Sequence, residues 1–120
     1  MSNLVRYLHK HIISDLKKKM VLIGGPRQVG KTTFAVSLLK PPGIENPAYL
    51  NWDDQTNKEQ IRKGQLPDDQ PLIVLDEIHK FKNWRNLIKG FFDKKRLKHQ
   101  FLITGSARID HYSKGGDSLV

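Results

Sequence analysis

Residues 20–33 read "MVLIGGPRQVGKTT". A short apolar run, Met20-Val21-Leu22-Ile23, ends in two glycines and a proline, and a third glycine, a lysine and two threonines follow. Glycine and proline account for the end of a strand, but not for the lysine or the threonines. From Gly25 through Gly30 to Lys31 and Thr32 the spacing is G-x-x-x-x-G-K-[ST], a phosphate-binding loop between a strand and a helix. A triphosphate is compact and anionic, so backbone N–H groups must converge on it where side chains would obstruct them. Gly25 and Gly30 permit that approach. Lys31 supplies a point charge for the outer phosphates and Thr32 a hydroxyl for Mg²⁺. Pro26, Arg27, Gln28 and Val29 within the loop, and Thr33 after it, complete the candidate nucleotide-binding stretch. Arg27 either adds charge near the phosphates or is simply solvated.

The pattern on either side is that of an α/β protein. Leu4, Leu8, Ile12 and Leu16 recur every fourth residue, with Val5 beside them, which predicts one apolar stripe of a helix. Lys17-Lys18-Lys19 follows at its C-terminal end, where cations suit the helix dipole. After the loop, residues 31–40 read as a helix stopped by Pro41-Pro42-Gly43. "AYLNW", residues 48–52, reads as a second strand, and Asp54 as the cap of a short helix ending at Gly64. "PLIVLD", residues 71–76, is a third strand, apolar on both faces as parallel strands under helices are. A helix is expected over residues 83–97, then a fourth strand, "QFLIT", at 100–104, and irregular chain from Gly105 onward. Strands alternating with helices imply a parallel sheet flanked by helices.

The third strand ends in Asp76-Glu77. Carboxylates at the C-terminal ends of strands line the crevice where α/β sheets bind ligands. One can hold Mg²⁺ and its neighbour can orient or deprotonate an attacking water, which suits Asp76 as the metal residue and Glu77 as the base. The fourth strand ends in Thr104, with Ser106 just beyond. Either hydroxyl at that tip could touch the γ-phosphate or the water, or Gly105 and Ser106 simply make a turn. His79 has no partner at metal-ligand spacing and reads as structural.

Length and composition bound these readings. The chain has 120 residues, enough for one domain with a core, and 38% of them are apolar. It contains no cysteine, which excludes a disulfide frame or a thiolate metal site and fits a cytoplasmic protein. No apolar run approaches membrane-helix length, and the N-terminus lacks the apolar block of a signal peptide. The net charge of +9 favours anionic partners.

"GPRQVGKTT", "YLNWDDQ", "LDEIHKFKNWRNLIKGFFD", "LITGSARID" and "KGGDSL" together resemble one bacterial and archaeal group of AAA-type P-loop ATPases. In that group the ATPase domain usually precedes a C-terminal domain of unknown function with a nuclease-like core. The resemblance implies a Walker A motif at Gly25–Thr32, a Walker B motif at Asp76-Glu77, and a sensor at the tip of the fourth strand, Ser106 rather than Thr104. It also implies that the fourth strand lies between the first and third. Relatives continue well past "GGDSL" into a helical lid and further chain. Residues 1–120 are therefore expected to be an AAA-type core without its lid, either the N-terminal part of a longer protein or a shortened homologue.

Lys80, Lys82, Arg85, Lys89, Lys94, Lys95, Arg96 and Lys98 crowd the stretch after the Asp-Glu pair, with Trp84, Phe91 and Phe92 among them. A basic helix with aromatics can grip nucleic acid, whereas aromatics at helical spacing also form core and lysines a solvated face. The expected function is an ATP-binding domain with Mg²⁺-dependent hydrolysis, weak in the isolated chain, with self-association open. The alternative is a non-catalytic nucleotide-dependent module, contacting DNA. A small-molecule kinase shares the loop but has no need of a water-activating glutamate.

Overall fold

The computed structural model describes residues 21–23, 30–95, 98–105 and 118–119. The Leu4–Leu16 stripe, the loop residues Gly25–Val29, Arg96 and Ser106 lie outside these. The elements run β1 (Val21–Ile23), α1 (Lys31–Ser37), β2 (Tyr49–Asn51), α2 (Gln55–Lys63), β3 (Leu72–Asp76), a 3-10 turn (Ile78–Lys80), α3 (Trp84–Lys95), β4 (Gln100–Thr104) and β5 (Ser118–Leu119). The five strands form one sheet in the order β2-β3-β4-β1-β5, and every pairing is parallel. This is the parallel α/β sheet that the alternation implied, and β4 does lie between β1 and β3, as the resemblance implied.

The strands carry the core. All five residues of β3 are buried, and Ile73, Val74 and Leu75 are inaccessible to solvent. An all-apolar strand is stable only where both its faces are covered, which is why "LIVL" reads as central sheet. Phe101, Leu102 and Ile103 of β4 continue the same core beside it. α1 packs over β3 and β4 through Ala35 and Val36, and α2 lies against β2 with Ile61 inward. In α3, Trp84, Ile88 and Phe91 fall on one stripe and are buried, with the Phe91 ring stacked on Phe101 at 6.2 Å. His99 is buried just before β4, and its Nδ1 donates to the Gln70 carbonyl at 2.8 Å. That bond ties the entry of β4 to the entry of β3, where Gln100 N–H also donates to Pro71 O at 2.7 Å.

Helix ends follow local chemistry. The Asp54 side chain accepts the Asn57 N–H at 2.9 Å, and Gly64 closes α2 in the left-handed region at φ 70°, as the sequence implies. α1 corrects the expected range. It ends at Ser37, not at residue 40, because the Leu38 and Leu39 N–H groups fold back onto Ala35 and Val36 carbonyls at 3.2 and 3.1 Å. Those are the tightened bonds of a last turn, and the residue before a proline disfavours helical backbone. α3 begins at Trp84, one residue later than expected, and runs to Lys95, while residues 96 and 97 of the expected helix lie outside the described residues. The expectation of irregular chain after Gly105 is also corrected. Residues 118–119 pair with 21 and 22 as β5. A two-residue strand carries no period to read, and pairing with β1 is what defines it.

The aromatics of the basic stretch belong to the core. Trp84 and Phe91 are buried and Phe92 packs against the same cluster, so none of the three stands out as a stacking platform. Lys80 is paired with Asp53 and Lys98 with Asp68. Lys82, Arg85, Lys89 and Lys94 are exposed.

Two substitutions weigh these contributions. Leu75→Ala deletes a fully buried side chain from the most enclosed strand and should cost ~2–5 kcal/mol. Asp54→Ala removes only an exposed cap and should cost about 1 kcal/mol. Urea unfolding monitored by circular dichroism measures both, and equal losses would contradict this placement of the core.

Candidate functional site

Strand register builds the site. Asn51 of β2 pairs with Asp76 of β3, Asp76 with Thr104 of β4, and Thr104 with Ile23 of β1. These four residues form one row at the C-terminal edge of the sheet, and the next residue after Ile23 begins the glycine-rich loop. Neighbours in this row lie 25, 28 and 81 residues apart in sequence and meet without any long side chain having to reach.

Asp76 is the centre of that row. Its side chain is buried, at 5% exposure, so its charge needs hydrogen-bond donors. Thr32 Oγ1 donates to Oδ2 at 3.0 Å, Tyr49 Oη donates to the same oxygen at 2.6 Å, and Thr104 Oγ1 donates to Oδ1 at 2.8 Å. Tyr49 in turn accepts from Asn51 Nδ2 at 3.1 Å. Tyr49 and Asn51 are two apart on β2 and therefore share a face, which lets the phenol reach diagonally to the carboxylate. Burial, and then donation to Asp76, push the Tyr49 hydroxyl well above the ordinary phenol range, so it stays a donor.

Glu77 follows in an unusual backbone state. Its φ of 61° lies in the left-handed region, uncommon for a residue with a side chain. Its N–H donates to Thr104 O at 2.9 Å, which continues the β3–β4 ladder past the strand end. Buried Ile78 then anchors the 3-10 turn. The Glu77 carboxylate lies 3.6 Å from His79 Nε2 and 3.5 Å from Lys80 Nζ. Lys80 donates to both oxygens of Asp53, at 3.0 and 2.8 Å, and hydrogen bonding to Asp53 raises its pKa above the usual lysine value. The His79 ring packs on Gly105, where a Cβ would come within 2.6 Å of Nδ1, so a side chain at 105 would force the ring to shift.

Thr32, Asp76 and Glu77 face a cavity of about 380 Å³ that Gly30, Lys31 and Thr33 also line. Gly30 turns the chain into α1 with φ 71°, and Lys31, the first helical residue, is buried. So the structure brings together Gly30, Lys31, Thr32, Thr33, Asp76 and Glu77. Gly25, Pro26, Arg27, Gln28, Val29 and Ser106 lie outside the described residues. Thr104 is present but points at Asp76. Sequence reading missed Tyr49, Asn51 and Lys80 as parts of the site. The alternation in "YLN" puts Tyr49 and Asn51 on one face. Only knowing that the strand pairs with β3 would have aimed that face at Asp76.

No group of three or more His, Cys, Asp or Glu side chains among the described residues could cage a metal. One carboxylate beside a threonine hydroxyl is nevertheless the oxygen donor set that Mg²⁺ uses when phosphates and water supply its other ligands. No helix among the described residues is long and apolar enough to cross a membrane.

Comparison with known proteins agrees with this geometry. A family model described as an AAA domain matches residues 17–120. A search of curated proteins returned no match.

The buried carboxylate generates a test. Thr104→Val keeps shape and β-propensity but removes the donor to Oδ1, and should cost ~1.5–3 kcal/mol. Thr104→Ser should recover most of that loss. Thermal and urea unfolding of the two variants decide it, and a valine variant as stable as the parent would show that Thr104 does not hold Asp76.

Proposed function

The chain belongs to the AAA domain family, and on that premise we propose that it binds ATP with Mg²⁺ and hydrolyses it. The observation that carries this reading is the 3.0 Å bond from Thr32 to Asp76, at a cavity that Lys31 and Glu77 also line. Nucleotide binding follows from the family. Hydrolysis is argued from which side chains converge.

The roles divide by chemistry. Lys31 neutralises the outer phosphates, and the loop residues from Arg27 to Gly30 offer backbone N–H groups to them. Thr32 and Asp76 would hold Mg²⁺, which would offset the negative charge that develops on the phosphates. Tyr49 and Thr104 keep the Asp76 carboxylate oriented for that task. Glu77, next along the chain, accepts a proton from water as the water oxygen bonds to the γ-phosphorus. The bond to the β–γ bridging oxygen breaks, and ADP leaves with its electron pair. Because the Thr104 hydroxyl is committed to Asp76, sensing of the γ-phosphate falls to Ser106, two residues further along. Residues 1–120 are read as one ATP-binding core.

Calorimetry with Mg²⁺ and ATP tests binding. Lys31→Ala should weaken it by more than tenfold, and equal affinity would remove the phosphate-loop reading. Glu77→Gln keeps hydrogen-bonding capacity but takes no proton, so it should bind ATP like the parent and release no phosphate above background. Binding with no turnover in the parent itself would make the chain a nucleotide-dependent binding module instead.

A further inference from the structure

We propose that Asp53 is a positioning residue for Glu77: by taking the Lys80 ammonium on both its carboxylate oxygens, it keeps that ammonium from closing on the base. The inference rests on Glu77 serving as the base, and it concerns how that carboxylate stays aimed at the cavity.

Lys80 is unavoidably close to Glu77. It is three residues on in a 3-10 turn, and its N–H donates to the Glu77 carbonyl at 3.2 Å. A flexible lysine so placed, beside a carboxylate only 8% exposed, has every electrostatic reason to pair with it. Yet the Lys80 Nζ ion pair with Glu77 Oε2 is the looser one, at 3.5 Å, against 2.8 and 3.0 Å to the oxygens of Asp53. Asp53 is a half-exposed competitor that wins by geometry.

That geometry is built from below. The Asp53 N–H donates to Asn51 Oδ1 at 2.8 Å, and the preceding Trp52 N–H donates to Asp76 O at 2.9 Å, so the chain leaving β2 is fastened to the sheet edge. Trp52 and Phe81, the neighbours of Asp53 and Lys80, stack with centroids 4.8 Å apart. An apolar contact thus sets the separation of the charged pair above it. Asp53 itself lines the cavity. Without Asp53 the whole lysine charge would settle on Glu77 and turn its oxygen away from an incoming water.

Two measurements test this on the full chain. The first follows the rate at which acetic anhydride labels Lys80, read by mass spectrometry. Asp53→Asn should leave Lys80 protected, because Glu77 takes it over, and the double variant Asp53→Asn/Glu77→Gln should label at least fivefold faster. If Asp53→Asn alone labels as fast as the double variant, Lys80 does not move to Glu77 and the proposal fails. The second is steady-state phosphate release. Asp53→Asn should lower kcat about tenfold with KM for ATP changed less than twofold, and adding Lys80→Met should return kcat to within twofold of the parent. A double variant as slow as Asp53→Asn would overturn the proposal. A Glu77→Gln variant as active as the parent would instead remove Glu77 as the base, and leave the labelling result to stand by itself.

Discussion

A single buried carboxylate organises this structure. Asp76 sits at the end of the most enclosed strand, where an ionised group without donors would be costly. Three hydroxyls among the described residues answer it, one each from α1, β2 and β4. Each donor belongs to a different segment, so satisfying one charge brings three elements to the tip of β3. The same requirement supports stability and readiness for chemistry, since a carboxylate held from three sides cannot rotate away from the cavity.

Parallel register turns that local need into a site. With Asn51, Asp76, Thr104 and Ile23 in one row, every β–α connection at that edge starts from the same level. Loops leaving a common edge converge on one volume. The apolar interior and the polar edge are consequently two ends of the same strands: Ile73 through Leu75 secure β3, and Asp76 and Glu77 use the rigidity they provide.

The legible parts of the chain were those governed by local rules. A loop with fixed spacing, a strand apolar at every position, and a helix with Asp54 at one end and Gly64 at the other can all be read residue by residue. So could the placing of Asp76 and Glu77 together at the tip of a strand, where both line the cavity. What escaped reading depended on pairing. Tyr49 looked like any strand aromatic until β2 was set beside β3. Lys80 looked like one cation among many until the Trp52–Phe81 stack brought Asp53 to it. β5 has no pattern of its own and exists because β1 offers an edge. In the basic stretch both readings of Trp84 and Phe91 were open on spacing alone, and burial decided for the core.

The left-handed backbone of Glu77 has a consequence for how this protein can change. At φ 61° a glycine would sit more comfortably than any residue with a side chain. The position therefore sets two pressures against each other. Substitutions that relax the backbone there discard the carboxylate, and those that keep a carboxylate keep the strain. Selection for thermal robustness alone would drift toward a quieter tip on β3 without its second carboxylate. A chain that retains glutamate in this conformation retains it at the expense of local ease, and variants screened only for stability would be enriched in ones that have lost the carboxylate.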